Sequence, residues 1–333
     1  MSEAPARLTV SVAMCTYNGA PWLVQQLQSL VNQERRPDEL VVCDDQSDDQ
    51  TFDILQQFTA NAPFEVRLFR NPQRLGFRGN FGTAIGRCRC DVIHPADQDD
   101  LWLPHKIRVL NEAIEQDVGT LLAGGMSLTC DDQLNSKGFM LMEANHYPAR
   151  FLRDLQAGRC LTTMIRQPLF AGHAMAFRAT LRPVILPLPD HWLHDTWIQT
   201  VASCCGCVRA LEDVVVHYRQ HDRNVSGGNR RSMTGWAAAN RALTYNRLQV
   251  DAQRFRDLAD RVENHRARLT DPERVVRLTR AKATFMDRRV RVNQHRVLRV
   301  PLVLKELVLG RYHRHARGLL TFGRDLLSHR LPM

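Results

Sequence analysis

The sequence predicts an α/β protein: a Rossmann-like, mostly parallel sheet flanked by helices, followed by a basic α-helical C-terminal region. Three observations predict it. Over the first 125 residues, short apolar runs alternate with stretches of helical periodicity, the pattern of a doubly wound sheet. The polar residues of that half gather immediately after the strand-like runs, where open α/β sheets bind ligands. The charge is split along the chain. From Arg219 onward 26 Lys+Arg stand against 10 Asp+Glu, a net of +16, whereas the first 218 residues carry 19 against 25, a net of −6.

Each element follows from its local pattern. LTVSVAM at residues 8–14 reads as a buried β-rich strand. A helix begins near Pro21 and sets Leu23, Leu27, Leu30 and Val31 on one face. Residues 40–43 form a second strand that ends in the polar run DDQSDDQ, and Phe52, Leu55 and Phe58 mark the next helix. Residues 64–69 are strand-like, and Phe81, Ile85 and Cys88 mark a third helix. Residues 91–94 form a fourth strand, residues 103–114 a helix with Pro104 in its first turn, and residue 120 begins another strand. Residues 126–165 carry no clear period; GHAMAF at 172–177 reads as a strand and residues 192–202 as a helix. Beyond residue 224 the texture turns to Arg-rich helical patterns, broken by Gly227-Gly228 and by Pro272. The domain division is therefore expected at 224/225, with residues 1–125 and 126–224 as the two halves of the first domain and 225–333 forming the basic helical region.

Composition excludes several classes. An apolar content of 44% supports a packed core. No uninterrupted apolar run reaches the roughly 18 residues of a membrane span. The N-terminus MSEAPARLTVSV does not resemble a signal peptide, so the expected location is cytoplasmic. The odd total of nine cysteines, with Cys15, Cys43 and Cys130 inside apolar runs, fits reduced core thiols. Cys88/Cys90 and Cys204/Cys205/Cys207 lack the paired C-x2-C spacing of a structural zinc site. The loop after the first strand, TYNGAPW, has no G-x-G-x-x-G, and no P-loop motif occurs. A phosphate-bearing ligand would then be held by a metal and side chains.

The stretch HPADQDDLW, residues 94–102, crowds Asp97, Asp99 and Asp100. Two carboxylates about 4 Å apart repel by roughly 4 kcal/mol at an effective dielectric of 20, so the crowding needs a cation, a shared proton or full solvation. In an extended segment Asp97 and Asp99 point to one side and offer hard oxygen ligands. Mg²⁺ typically takes one or two such carboxylates and completes its shell with water and phosphate oxygens. The strand ends at Cys15-Thr16-Tyr17-Asn18, Asp44-Asp45 and Asp97-Gln98-Asp99-Asp100 should converge on one edge. An acidic turn merely solvated, a Trp192 and Trp197 packed in the core, and an Asp195 acting only as a helix cap are the plain alternatives.

SVAMCTYNGAPWLVQQLQSLVNQ, ELVVCDDQSDDQT, NPQRLGFRGNF and ADQDDLWLPHKI, in that order, resemble the successive motifs of family 2 glycosyltransferases, whose fold is GT-A. HDTW at 194–197, YRQHDRNVSG at 218–227 and the tail GRYHRHARGLLTFGRDLL resemble a bacterial branch that includes rhamnosyltransferases building O-antigen and related polysaccharides. The resemblance implies an inverting, metal-dependent sugar transfer from a dTDP- or UDP-linked donor, with Mg²⁺ or Mn²⁺ as cofactor. The best single donor is dTDP-L-rhamnose; UDP-galactose or another UDP-hexose is the alternative. It implies a nucleotide-binding half at about residues 1–125, an acceptor half at about 126–224, and a lipid-linked saccharide acceptor. Residue by residue, it implies that Thr16, Tyr17 and Asn18 line the nucleotide, with Tyr17 helping to hold the base. Asp45 accepts the base N3–H, which uracil and thymine share. Arg78, in the loop before the third helix, approaches the diphosphate, although Arg-Gly-Asn stands where the family often has Arg-Asn. Asp99 is the metal-binding aspartate, with Asp97 near the ribose or the metal's water shell, and His221 reaches the metal or diphosphate. Asp195 is the catalytic base, and Thr196 stands where the branch usually has Trp.

The basic tail from residue 297 mixes apolar residues with Arg, Lys and His, as a helix at the anionic inner membrane surface does. Peripheral attachment to the inner face of the cytoplasmic membrane is the expectation. Nucleic acid is not expected as a partner, because arginines are not interleaved with aromatics and no binding motif occurs. A catalytically inactive relative and a nucleotidyltransferase are the remaining rivals; the retained Asp97, Asp99 and Asp195 oppose the first, and HDTW with YRQH opposes the second.

Overall fold

The computed structural model describes residues 7–144, 150–224, 245–294 and 299–327. The expected Gly227-Gly228 break, the end of the YRQHDRNVSG motif and the 224/225 division fall at or within residues outside these ranges. The chain forms two compact units: Met1–Cys160 with Leu169–Asn229, and Leu161–Pro168 with Arg230–Met333.

The first unit is built on a sheet whose described strands run β3-β2-β1-β4-β8-β6-β9-β5, with β7 beside β6. The strands are β1 (Val10–Thr16), β2 (Glu39–Asp44), β3 (Glu65–Arg70), β4 (Val92–Ala96), β5 (Leu101–Trp102), β6 (Thr120–Cys130), β7 (Ser136–Met140), β8 (Met175–Arg178) and β9 (Cys207–Arg219). The helices are α1 (Ala20–Val31), α2 (Thr51–Asn61), α3 (Gly76–Arg87), α4 (Lys106–Glu115), α5 (Leu141–Ala144), α6 (Arg150–Gln156), α8 (Arg182–Ile185) and α9 (His194–Cys205); α7 (Cys160–Arg166) lies almost wholly in the second unit. The long ladders β1–β2, β2–β3, β1–β4 and β6–β9 are parallel, and the antiparallel pairings are short.

β1 and β2 are buried at every position, which is why they read as continuous apolar runs rather than alternating ones. Leu23, Leu27 and Leu30 of α1 close over Val10, Val12, Met14, Leu40 and Val42, as their spacing predicts. Thr16 pairs with Asp44 and Cys43 with Phe69, while Met14 pairs with Ala96. The ends of β1, β2, β3 and β4 are thus level, and their loops leave from one edge. Cys15, Cys43 and Cys130 are buried, free thiols.

The structure departs from the periodicity reading in two places. Residues 101–102 form a short strand, and the helix expected from residue 103 starts at Lys106, so Pro104 precedes it instead of lying in its first turn. The reason is tertiary: Leu101 and Trp102 pair with His217 and Val216 of β9. The Gln33 amide serves the turn between them, donating to the Leu103 carbonyl and accepting from the Ile107 N–H. The 13-residue β9 itself escaped the sequence pattern.

The second unit contains α10 (Tyr245–Asn264), α11 (Pro272–Gln294), α12 (Arg299–Val308), α13 (Arg311–His315) and α14 (Leu319–Leu327). Its core gathers Ala252, Phe285, Met286, Val292, Val303 and Tyr312. Inside that core Arg289 makes a two-pronged ion pair with Asp325, 2.7 Å on each side, and the Tyr312 hydroxyl donates to the same carboxylate at 2.9 Å. Breaking a buried pair by deleting one partner costs about 3–5 kcal/mol. Asp325→Ala should therefore destabilise the second unit by that amount in urea denaturation followed by circular dichroism. Arg280→Ala, which removes a solvent-screened pair with Glu263, should cost less than about 1 kcal/mol.

Candidate active site

Three loops at the carboxyl edge are tied to one another by side chains. The Thr16 hydroxyl, at the end of β1, donates to Asp44 at 3.0 Å. The next residue, Tyr17, is clasped through its backbone: its N–H donates to the Gln98 carbonyl oxygen at 2.8 Å, and its carbonyl accepts from the Gln98 amide at 2.9 Å. The Arg74 guanidinium covers the Tyr17 ring, 3.8 Å from its centroid. Asn18 sits at φ +49°, a left-handed position that Asn tolerates, and joins the loop after β2 by bonds to Ser47 and Asp48. A Cβ on Gly19 would fall 2.2 Å from the Gln98 amide, so only glycine permits the clasp.

Asp45 is buried and accepts from the Leu75 N–H (2.7 Å), the Asn71 amide (2.9 Å) and the Gly76 N–H (2.8 Å). A carboxylate offers about four acceptor positions, so one is left for a ligand. Arg78 lies in the first turn of α3 rather than in the loop before it, with its guanidinium over the Phe77 ring. The loop ends early because Asp45 seizes the N–H groups of Leu75 and Gly76 at the mouth of that helix.

The aspartate loop between β4 and β5 is bent, not extended, and this corrects the expectation that Asp97 and Asp99 share a side. Asp97 turns to His173 Nδ1 at 3.5 Å, which also meets the fully buried Asp100 at 2.9 Å. Asp99 turns to His221 Nε2 at 2.9 Å and to the Asn224 amide at 3.4 Å. Burial alone would discharge the His173 ring, but Asp100 and Asp97 outweigh it and raise its pKa to about 10. As an imidazolium it donates from Nε2 to Ser127 Oγ at 3.0 Å. Asp97, Asp100 and His173 are close enough to hold a metal ion as a group. Their imidazolium already supplies one positive charge to two carboxylates.

His221 is held by stacking on Trp22 of α1, ring centroids 3.7 Å apart, and Trp22 is anchored through its indole N–H to Asp132 at 2.7 Å. Its Nδ1 accepts from the Arg223 N–H, so the proton is on Nε2 and points to Asp99. A divalent cation bound by both would occupy Nε2 and move that proton to Nδ1, at the expense of the bond from the Arg223 N–H. Hard oxygens and an imidazole suit Mg²⁺ or Mn²⁺. Arg219, buried at the end of β9, binds the Asp99 carbonyl through its side chain and Asp100 through its backbone N–H, and so ties β9 to the aspartate loop.

Asp195 stands half-buried in the first turn of α9, and its carboxylate accepts from the Thr196 N–H. The capping position belongs to Leu193. Its neighbour His194 is packed between two elements. His194 stacks on Phe81 of α3 at 3.8 Å and fills the space above Gly172, where a Cβ would meet its Nε2 at 2.4 Å. The residue after Gly172 is His173. Trp192 and Trp197 are core residues. The bonds described tie Thr16 to Asp45, Tyr17 to the aspartate loop through Gln98, Asn18 to the loop after β2, and Asp99 to His221, while Asp97 goes to His173, Arg78 lies against Phe77, and Asp195 follows His194 at the start of α9. Sequence reasoning missed Trp22, Gln98, Asp100, His173 and Arg219 as working parts. Only the unusual burial of a histidine in the apolar run GHAMAF could have flagged one of them.

Residues 11–176 match the family described as Glycosyl transferase family 2. The chain carries a glycosyl transferase family 2 domain. The match runs from β1 to β8 and takes in the three tied loops and His173; Asp195, Arg219 and His221 lie beyond it. An uncharacterized glycosyltransferase of Nostoc sp. is 27% identical over 229 residues, 65% of this chain and 66% of that protein. The dTDP-rhamnosyl transferase RfbG of Shigella flexneri is 32% identical over 99 residues, 28% of this chain and 34% of its own length. The chain thus spans from a third to just under two thirds of these relatives. The crystal structure of S. aureus TarS 1-349 in complex with UDP-GlcNAc superposes with a TM-score of 0.55 at 15% identity, over 77% of this chain and 67% of that one. That likeness is one of fold, and the fold of the family 2 domain here is GT-A.

Two outcomes are expected of this site. His173 has a folded pKa above its ordinary value of 6.5, so its stabilisation is complete below about pH 6.5 and is lost as pH rises through about 10. His173→Gln should lower stability by about 3–5 kcal/mol at neutral pH, and the gap to wild type should close as pH approaches 10 in parallel urea titrations. Gly19→Ala should break the Gln98 clasp and cost about 1–3 kcal/mol by overpacking, measured as a shift in the urea midpoint.

Proposed function

We propose that the chain is an inverting glycosyltransferase that moves a sugar from a nucleotide diphosphate donor to a hydroxyl of a lipid-linked, growing cell-surface polysaccharide. The observation that carries the proposal is the Asp99–His221 pair, set beside three mutually bonded strand-end loops in a family 2 domain. In this reading Tyr17 and the last free acceptor position of Asp45 hold the nucleotide base. Thr16 and Asn18 shape that loop, and Arg78 approaches the diphosphate. Asp99 and His221, with Asp97 toward the ribose or the hydration shell, would hold Mg²⁺ or Mn²⁺, which stabilises negative charge on the departing diphosphate. Asp195 takes the proton from the acceptor hydroxyl as its oxygen bonds to the anomeric carbon. The bond from that carbon to the phosphate oxygen breaks, the configuration inverts, and the nucleoside diphosphate leaves. Asp195 receives one hydrogen bond, from the Thr196 N–H, and keeps acceptor capacity for a hydroxyl.

The similarity to dTDP-rhamnosyl transferase RfbG supports dTDP-L-rhamnose as the first donor to test, with UDP-hexoses as the second reading. The acceptor's lipid places the enzyme at the inner membrane surface, with the basic second unit as the part that meets it. A donor panel of dTDP-L-rhamnose, UDP-galactose, UDP-glucose and UDP-GlcNAc tests the assignment, with lipid-extracted acceptors and nucleoside diphosphate release as readout. One donor should turn over, with an inverted anomeric signal in the product's NMR spectrum. Asp195→Asn should lower kcat by about 10²–10⁴ while leaving donor binding unchanged. Unaltered kcat in that variant would remove Asp195 from the role of base.

A further inference from the structure

Six of the ten exposed large hydrophobic residues among those described fall between residues 299 and 327: Val300, Leu304, Val308, Leu309, Leu319 and Leu320. Scattered exposed leucines are ordinary, but such a concentration is not. On α12 the pattern is regular. Val300, Leu304 and Val308 recur every four residues and form one stripe along the helix, with Val308 84% exposed. This stripe is not the helix's core face, which is supplied by Val303 with Leu302 and Leu307 around Tyr312. The helix is thus apolar on both faces. α14 opens with the pair Leu319-Leu320, the first of them 63% exposed, while Phe322 and Leu326 pack inward.

The charges of the same segment are sorted by sign. Its two acidic residues are both buried and paired: Glu306 with Arg311 at 2.7 Å, and Asp325 with Arg289. Lys305, His313 and Arg314 are exposed. The segment therefore shows solvent an apolar stripe and basic groups with no acidic counterweight. An apolar stripe flanked by bases suits the boundary between anionic headgroups and acyl chains. A protein partner would call for mixed charge at the rim.

We infer that α12 and the start of α14 form a monolayer-docking face for an anionic lipid bilayer, with Val300, Leu304, Val308, Leu319 and Leu320 entering the headgroup–acyl boundary and Lys305 and Arg314 meeting lipid phosphates. This deepens the proposed placement of the enzyme at the membrane. It is tested by binding alone, without donor or acceptor, so its failure leaves the sugar-transfer reading standing.

The test is flotation of the full-length protein with vesicles of phosphatidylethanolamine and phosphatidylglycerol, against pure phosphatidylcholine vesicles, at low and high salt. The protein should float with the anionic vesicles and far less with the neutral ones, and high salt should weaken binding. Leu304→Glu/Val308→Glu should weaken it at least about tenfold, since each side chain loses its transfer into the apolar layer. Leu319→Ser/Leu320→Ser should act in the same direction. All these positions are exposed, so the melting temperature should stay near that of wild type, and it is checked for each variant. Absence of binding to anionic vesicles at low salt would overturn the inference. So would equal binding by both double variants. A wild-type dimer that Leu304→Glu/Val308→Glu converts to monomer, without vesicle binding, would assign the stripe to a second copy of the chain. RNA binding lost in the same variants, again without vesicle binding, would assign it to nucleic acid. Either result overturns the lipid assignment.

Discussion

The carboxyl edge of the sheet depends on how three aspartates in four positions are kept together. Asp97, Asp99 and Asp100 would repel one another by several kcal/mol if left to themselves. The fold answers with a separate partner for each side of the bend. His173, brought in just before β8, takes Asp100 and Asp97. His221, just past β9, takes Asp99, and Arg219 fastens both carboxylate-bearing residues to the end of that strand. The two sides are unequal. One carries its neutralising charge at neutral pH as a buried imidazolium, and so behaves as structure. The other meets one ring nitrogen of His221 and the Asn224 amide.

That inequality gives the sheet edge its direction. The imidazolium side faces inward, toward Ser127 and Tyr218. The Asp99 side is stiffened from the opposite flank by Trp22 and by the clasp between Gln98 and Tyr17. Gln98 lies between Asp97 and Asp99, so the bonds that hold the Tyr17 loop also hold the aspartate loop. A change at Gly19, in α1's cap, is then felt at Asp99 although the two residues do different work. Asp45 plays the matching part on the other side, where it organises the loop that leads into α3.

Much of this was legible in the sequence. The parallel strands β1, β2, β3 and β4 and their helices follow from apolar runs and helical spacing, because burial on both sheet faces leaves a strong local signal. Their level ends, and so the convergence of Thr16, Asp45 and the aspartate cluster, follow from topology alone. What was not legible depends on distant partners. β5 is two residues long and exists because β9 is beside it. β9 alternates only in part, since its register against β6 shifts along its length. An extended loop would put Asp97 and Asp99 on one face; the separate claims of His173 and His221 bend it. The exposed stripe of α12 is invisible to periodicity, because its buried face is apolar as well.

The central claim is that Asp99 waits for a divalent cation that arrives with a nucleotide diphosphate. Calorimetry of dTDP and UDP, each with and without Mn²⁺, on wild type and Asp99→Ala tests it most directly. The account predicts binding that requires the metal and disappears in the variant, with the tighter nucleotide naming the donor class. Failure of both nucleotides to bind with metal present, or equal binding by Asp99→Ala, would contradict it.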